Sequence, residues 1–297
     1  MGGTTGTNGS YLVNGIEVSR DGVPVIPLTE AQLAQIDNNV AQVANLDLPK
    51  LYDASNPNSR VFVLSLDGTS NNANVDPPEN WTNPALIAKS VNALNQQNPN
   101  IAGWYQQGVG TADIPIPIVS GAVNTLDQAT GASIQQQAEQ GYAAFVVQAN
   151  VWLHENPDAE ISLVNVGFSR GSAATLLVAN MVHERGIPDL NTEKRETSFD
   201  SDTMQSRTVI TYGSNLVEPG RTPQAIIPYD QVATGTAEDL NRTVPPSVVS
   251  VVEFRAENEY RSQFKFYSTR DPNNPDDSRF TTLTNPGSHA DQGGGDA

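Results

Sequence analysis

The run Gly167-Phe168-Ser169-Arg170-Gly171 places a serine between two glycines at the spacing G-x-S-x-G. A serine hydroxyl becomes a nucleophile when a neighbouring base takes its proton, and acyl transfer from an ester is the chemistry that follows. At ordinary glycine and serine usage this spacing arises by chance in about one chain of this length in ten, so its context decides. The run directly follows the apolar, β-branched stretch Ile161–Val166, and it opens a segment of small residues, Gly171, Ser172, Ala173 and Ala174. A sharp strand-to-helix turn needs small side chains at 167 and 171, because bulky ones would hold the two backbones apart. Ser169 then stands at a helix N-terminus, where the dipole and free N–H groups favour a developing oxyanion. Without chemistry, the same residues would form a Gly-Ser turn between a strand and a helix.

The serine needs a base, and the chain has only three histidines. His183 lies fourteen residues further along the same expected helix, about 21 Å away at 1.5 Å per residue. His154 ends the helix before the serine strand and belongs at the opposite end of the sheet. His289 remains, in the loop Asn285-Pro286-Gly287-Ser288-His289-Ala290-Asp291-Gln292-Gly293. A metal reading of His289 with Asp291 is weak, since two ligands two residues apart do not make a site. No metal or cofactor is expected. The acid that orients the base should fall between Ser169 and His289. Asp230 is chosen because it follows an apolar stretch and precedes a small-residue turn; Asp239, Asp271, Asp276 and Asp277 compete from polar, turn-like segments. Asp291 could steady the histidine loop. The oxyanion hole calls for two backbone donors. One is Arg170 N–H, and the other comes from the turn Asp67-Gly68-Thr69, where Gly68 lets backbone approach the substrate.

The elements that must position these groups read as an alternation of strands and helices. Strands are expected at 61–66, 101–106, 161–166, 208–213, 248–254 and 280–284, and helices at 84–97, 133–154 and 169–184. That order indicates an α/β fold with a mostly parallel central sheet flanked by helices. The order serine, acid, histidine is that of α/β hydrolases. Residues 1–58 read as an N-terminal arm with one amphipathic helix, Leu33, Ile36, Val40 and Val43 lining one face after an N-cap at Thr29; residues 59–297 form the catalytic domain. Residues 187–206 are expected as a polar surface loop. Residues 112–132, with Ile114, Ile116 and Ile118 between prolines, could be a lid, a lipid-facing surface or a packed connection.

Composition narrows the partners. With 16 basic against 33 acidic residues the net charge is −17, which disfavours nucleic acid and simple adsorption to anionic lipid. Contact with a membrane through apolar surface stays open. With no cysteine, disulfides, thiolate metal sites and Cys nucleophiles are ruled out. No run reaches the length of a membrane span, and the first residues lack the features of a secretory signal.

Taken together, several segments resemble the type VI secretion phospholipase effectors, a family whose α/β-hydrolase domain was formerly of unknown function. The matching pieces, in order, are Leu64-Ser65-Leu66-Asp67-Gly68-Thr69-Ser70-Asn71-Asn72, Tyr105-Gln106-Gln107-Gly108-Val109-Gly110-Thr111, Val166-Gly167-Phe168-Ser169-Arg170-Gly171, Asp230-Gln231-Val232 and Pro286 to Gly295. The resemblance implies a Ser169-Asp230-His289 triad and hydrolysis of phospholipid or related lipid esters. It also implies a bacterial protein made in the cytoplasm and exported without a classical signal, with a secretion-machinery or immunity partner. The triad alone does not choose among acyl groups, so a thioesterase, a peptidase and a catalytically silent binding module remain alternatives.

Overall fold

The computed structural model describes residues 11–18, 24–108, 134–200, 205–232, 241 and 243–294. A hairpin of β1 (Tyr11–Val13) and β2 (Ile16–Val18) precedes α1 (Glu30–Ala44). Then come β3 (Ser59–Leu66), α2 (Asn83–Asn95), β4 (Ile101–Gln106), α3 (Ile134–Glu155), β5 (Glu160–Phe168) and α4 (Arg170–Arg185). The remainder is β6 (Ile187–Pro188), β7 (Glu193–Asp200), β8 (Gln205–Tyr212), β9 (Asn215–Val217), β10 (Gln224–Tyr229), β11 (Val248–Ala256), β12 (Phe280–Asn285) and α5 (His289–Gly293).

Six strands form one sheet in the order β12-β11-β10-β5-β3-β4, and every neighbouring pair is parallel. The fold is that of an α/β hydrolase, with the sheet covered by helices on both faces. Phe62, Leu64 and Leu66 of β3 pack with Tyr142, Phe145 and Val178 from α3 and α4 in the larger core cluster. On the other face α2 comes close at Gly103, where a Cβ would lie 2.6 Å from Val91 Cγ1. The chain leaves β3 towards β4 on one side and then builds β5, β10, β11 and β12 on the other. The crevice at the C-terminal ends of β3 and β5 is therefore a topological switch point, where open parallel sheets place their ligands.

Helix α1 forms where the sequence places it. Thr29 accepts a hydrogen bond from Gln32 N–H, and the Gln32 side chain accepts one from Thr29 N–H, closing a capping box. It leans on the sheet through amides rather than through its apolar stripe. Gln35 Nε2 and Asn39 Nδ2 each donate to Thr284 O at 2.8 Å, while Leu33, Val40 and Val43 are exposed. Among the described residues no helix is long and apolar enough to cross a membrane.

Two expectations need correction. Residues 187–206 are not simply a loop, because β7 pairs antiparallel with β8 over eight residue pairs from Glu193↔Tyr212 to Asp200↔Gln205. The strand expected at 208–213 thus belongs to this separate hairpin. Glu193 to Phe199 faces solvent almost throughout, so no apolar alternation marks it as a strand. The central strand β10 was not anticipated, since Pro228 interrupts its apolar run and a proline argues against a central strand. The 112–132 segment with Ile114, Ile116 and Ile118, and Asp239, lie outside the described residues.

Candidate active site

Ser169 sits between the end of β5 and the first turn of α4, with φ 57° and ψ −124°. Few non-glycine residues adopt this conformation, and its strain is held by the packing around it. Two glycines make the turn fit. A Cβ on Gly167 would lie 2.7 Å from the Gly171 carbonyl carbon, and one on Gly171 would lie 2.3 Å from Leu66 O and 2.5 Å from Asp67 O. Gly171 thereby lets the start of α4 press directly on the turn that follows β3. Ser169 is buried, and its N–H donates to Tyr229 O at 3.0 Å.

Asp230 and His289 come together although 59 residues separate them. Asp230 closes β10 with φ 38°, its N–H bonded to Phe254 O at 2.7 Å. Its side chain is fully buried at 0% exposure; Oδ1 accepts Ala256 N–H at 2.8 Å, and Oδ2 stands 2.7 Å from His289 Nδ1. A carboxylate can only accept, so the proton of this bond resides on Nδ1 and leaves Nε2 as the basic nitrogen. Nε2 is buried with no hydrogen-bond partner among the described residues.

The imidazole is held from every side. Its ring contacts those of Phe168 and Phe264, each tilted to it with a centroid separation of 4.8 Å. Arg261 lies over Phe264 at 4.3 Å and pairs with Glu259 at 2.6 Å, and Glu259 in turn accepts His289 N–H at 3.1 Å. Burial pushes the Glu259 carboxyl up, but hydrogen bonds from Arg261 and from His289 N–H outweigh it and hold the group below its usual range. Asp291 forms a capping box with Ser288 at the start of α5, accepting from Ser288 Oγ at 2.8 Å. It steadies the histidine loop and does not meet the imidazole as a metal partner would.

The turn after β3 is organised by Asp67. Its Oδ1 accepts Gly68 N–H at 2.8 Å. Its Oδ2 accepts Tyr105 Oη at 2.6 Å and Thr82 Oγ1 at 2.9 Å. Burial without a cation raises Asp67 to about 6, against the pull of those three donors. The Gly68 N–H is thus engaged by Asp67. Gly68 matters instead for space: a Cβ there would lie 2.6 Å from Phe168 Cδ1. Among the described residues Thr69 N–H has no hydrogen-bond partner. Arg170 N–H opens α4, whose first N–H groups have no acceptor within the helix. The Arg170 Nε donates to Thr69 Oγ1, so the two residues carrying these N–H groups are tied to each other.

The remaining histidines sit elsewhere. His183 Nδ1 is 3.1 Å from Ser247 Oγ, and His154 Nε2 is 3.3 Å from Asp189 Oδ1. Of the competing acids, Asp271 and Asp276 are exposed and Asp277 pairs with Arg279. Sequence reasoning missed the Glu259, Arg261 and Phe264 strap. The aromatic density from Phe254 to Tyr267 was the available signal. Tyr105 was noticed only within a motif; its place one strand over from Ser65 brings its hydroxyl to Asp67.

A family model described as the T6SS phospholipase effector Tle1-like catalytic domain matches residues 60–209. No curated protein matches the chain. Among solved structures the chain is similar to an uncharacterized protein from Pseudomonas aeruginosa, with 18% identity and a TM-score of 0.47 over 91% of this chain and 45% of that one. It is also similar to the Tle1 effector solved bound to the VgrG spike of the type 6 secretion system, with 17% identity and a TM-score of 0.43 over 84% and 52% of the two chains. An acetyl xylan esterase shares 14% identity at a TM-score of 0.26, covering 77% of this chain and 81% of its own. The chain spans about half the length of the first two.

Proposed function

The chain belongs to the Tle1-like phospholipase effector family, whose catalytic-domain model matches half of it, and from that premise we propose that it is a serine-dependent carboxylic ester hydrolase acting on lipid esters. His289 Nε2 takes the Ser169 proton as Oγ attacks the ester carbonyl. Asp230 holds the ring and its tautomer, and the N–H groups of Thr69 and Arg170 bind the oxyanion. The tetrahedral intermediate expels the alcohol, which receives the proton from His289 and leaves an acyl-Ser169. Water, deprotonated by His289, then attacks the acyl carbon; the second intermediate collapses to release the acid and return the proton to Ser169 Oγ. The observation that carries this reading is the buried 2.7 Å contact between His289 Nδ1 and Asp230 Oδ2, with Nε2 left unpartnered.

The family description as type VI secretion effectors supports a bacterial protein exported without a signal peptide, with a component of the secretion spike as partner. The deciding test combines a covalent probe with turnover. A fluorophosphonate should label Ser169, and Ser169→Ala should lose labelling and at least about a thousandfold of short-chain ester hydrolysis. A Ser169→Ala protein that keeps full esterase activity would sink the proposal.

A further inference from the structure

Arg170 follows the serine directly and is half-buried, yet its only side-chain bond among the described residues is Nε to Thr69 Oγ1. The guanidinium has five N–H donors in a planar fork, so among the described residues its outer edge has no partner. Most other described arginines are engaged differently. Arg185, Arg195, Arg261 and Arg279 pair with carboxylates, and Arg60 and Arg270 donate to backbone carbonyls. The chain has 33 acidic against 16 basic residues, so a half-buried cation without an acid beside it among the described residues runs against the composition. Burial alone draws the Arg170 pKa downward, and no neighbouring charge opposes or adds to it. Desolvating such a group without acceptors is unfavourable, and that arrangement is retained where a ligand completes it.

We propose that the outer edge of Arg170 binds an anionic phosphate group carried by the ester substrate, making it the residue that selects phosphate-bearing lipid esters over uncharged ones. This rests on the reading of Ser169 as nucleophile. In a glycerophospholipid the phosphate lies a few bonds from the scissile ester. The Nε bond to Thr69 anchors the guanidinium beside the turn that follows β3, and Arg170 directly follows Ser169 in the chain. Arginine suits the task because its fork meets two phosphate oxygens at once. A net charge of −17 would otherwise repel an anionic substrate, so attraction has to be local.

The test compares two soluble esters with the same acyl chains, dihexanoyl phosphatidylcholine and dihexanoylglycerol, on the full chain. Wild type should prefer the phosphate-bearing ester by at least about tenfold in kcat/KM, as expected for a charge-assisted contact. Arg170→Gln should lower both rates, because the Thr69 contact is lost, but should lower the phosphate-bearing one by a further tenfold or more. Arg170→Lys keeps the charge without the fork and should fall between. Thr69→Val, which removes the Oγ1 acceptor that anchors the guanidinium but keeps its charge, should reduce the preference for the phosphate-bearing ester by less than Arg170→Gln does.

Equal loss on both esters in Arg170→Gln, or no preference in wild type, overturns the inference, and the wild-type measurement decides even if the variants do not fold. Inorganic phosphate added to the dihexanoylglycerol reaction separates a headgroup site from a free-ion site. An unchanged rate is expected, and a change that disappears in Arg170→Lys would mean that Arg170 binds free phosphate instead. If wild type cleaves neither ester and Ser169 resists a fluorophosphonate, the hydrolase reading itself fails. If Ser169 labels and dihexanoylglycerol is cleaved without preference, only the role of Arg170 fails.

Discussion

The two halves of the sheet hold the site by different means. From β3 to α4, residues 59–185, strands alternate with helices, and the core of Leu64, Leu66, Phe145 and Val178 sits beneath Ser169 and the Asp67 turn. From β10 to β12 the described residues include no α-helix, and buried polar contacts do much of the fastening. Glu253, 1% exposed, accepts from Ser268 Oγ, Thr269 N–H and Thr282 Oγ1 at 2.9 to 3.1 Å. Glu259 and Asp291 tie down the histidine loop in the same manner. The matched family region, 60–209, covers the first half, while the proposed acid and base lie in the second. Close packing is broken by adding an atom, whereas a hydrogen-bonded scaffold is broken by deleting an acceptor. The two halves should therefore fail to opposite kinds of substitution.

The largest expected effect is on turnover. Asp230→Asn keeps the volume at a fully buried position but presents the wrong partner to His289 Nδ1. kcat should fall by about ten-thousandfold, as expected when the orienting carboxylate of a triad becomes an amide. Steady-state kinetics on a short-chain ester measures it, and a loss under tenfold would remove Asp230 from the triad. Next come two stability effects that set the halves against each other. Gly171→Ala places a methyl 2.3 Å from Leu66 O and should destabilise by about 3 kcal/mol. Glu253→Ala leaves several buried donors without an acceptor and should also cost about 3 kcal/mol, while Glu253→Gln should cost less. Urea unfolding of the three variants checks the pair. If Glu253→Ala were neutral, the second half would be held by packing after all.

The same contrast governs what could be read from the chain. The first half was legible because its strands are short apolar runs and its helices end in recognisable caps and breakers. The glycines at 167 and 171 announced the turn before any contact was visible. In the second half the elements carry weaker marks. β10 hides behind Pro228, and β7 is polar on both faces. Asp230 could be chosen over Asp271, Asp276 and Asp277 only by its flanking residues. What distinguishes it physically, the meeting with His289 across 59 residues, is tertiary. The turn after β3 shows the limit within one motif. Gly68 and Thr69 are both reasonable donors in sequence, and the Asp67 carboxylate, which engages the Gly68 N–H, favours Thr69 in the proposed oxyanion hole.

Asp67 offers a pH-dependent probe of the first half. Burial raises it to about 6 from 3.8. Below the unfolded value both states are protonated, and the contribution to stability is full. Between the two values the unfolded chain releases its proton while the folded protein keeps it, so stability falls as pH rises through about 6. At 1.36 kcal/mol per unit the loss is about 2 to 3 kcal/mol. Wild type and Asp67→Asn should therefore diverge in unfolding free energy between pH 4 and 7, with the variant lacking that part of the decline. Parallel curves would mean that Asp67 is ionised without penalty in the fold.

The smallest effect sharpens the comparison most, because it separates holding the histidine from holding the fold. Asp291 is exposed and touches neither Ser169 nor the imidazole. It accepts from Ser288 N–H and Oγ, fixing the first turn of α5, where His289 is the first residue. Losing a cap costs about 1 kcal/mol, and α5 is one short helix at the edge of the domain. Asp291→Ala should thus lower the unfolding free energy by only about that amount. The substitution leaves Phe168 and Phe264, whose rings contact the imidazole, so the imidazole should be loosened rather than lost, and kcat should drop by roughly tenfold, the rate equivalent of a similar free energy. Asp291→Asn, which can still accept from Ser288, should recover most of both. A variant with reduced stability and an unchanged kcat would show that the aromatic contacts alone position His289. The polar scaffold of the second half would then serve the fold and not the site.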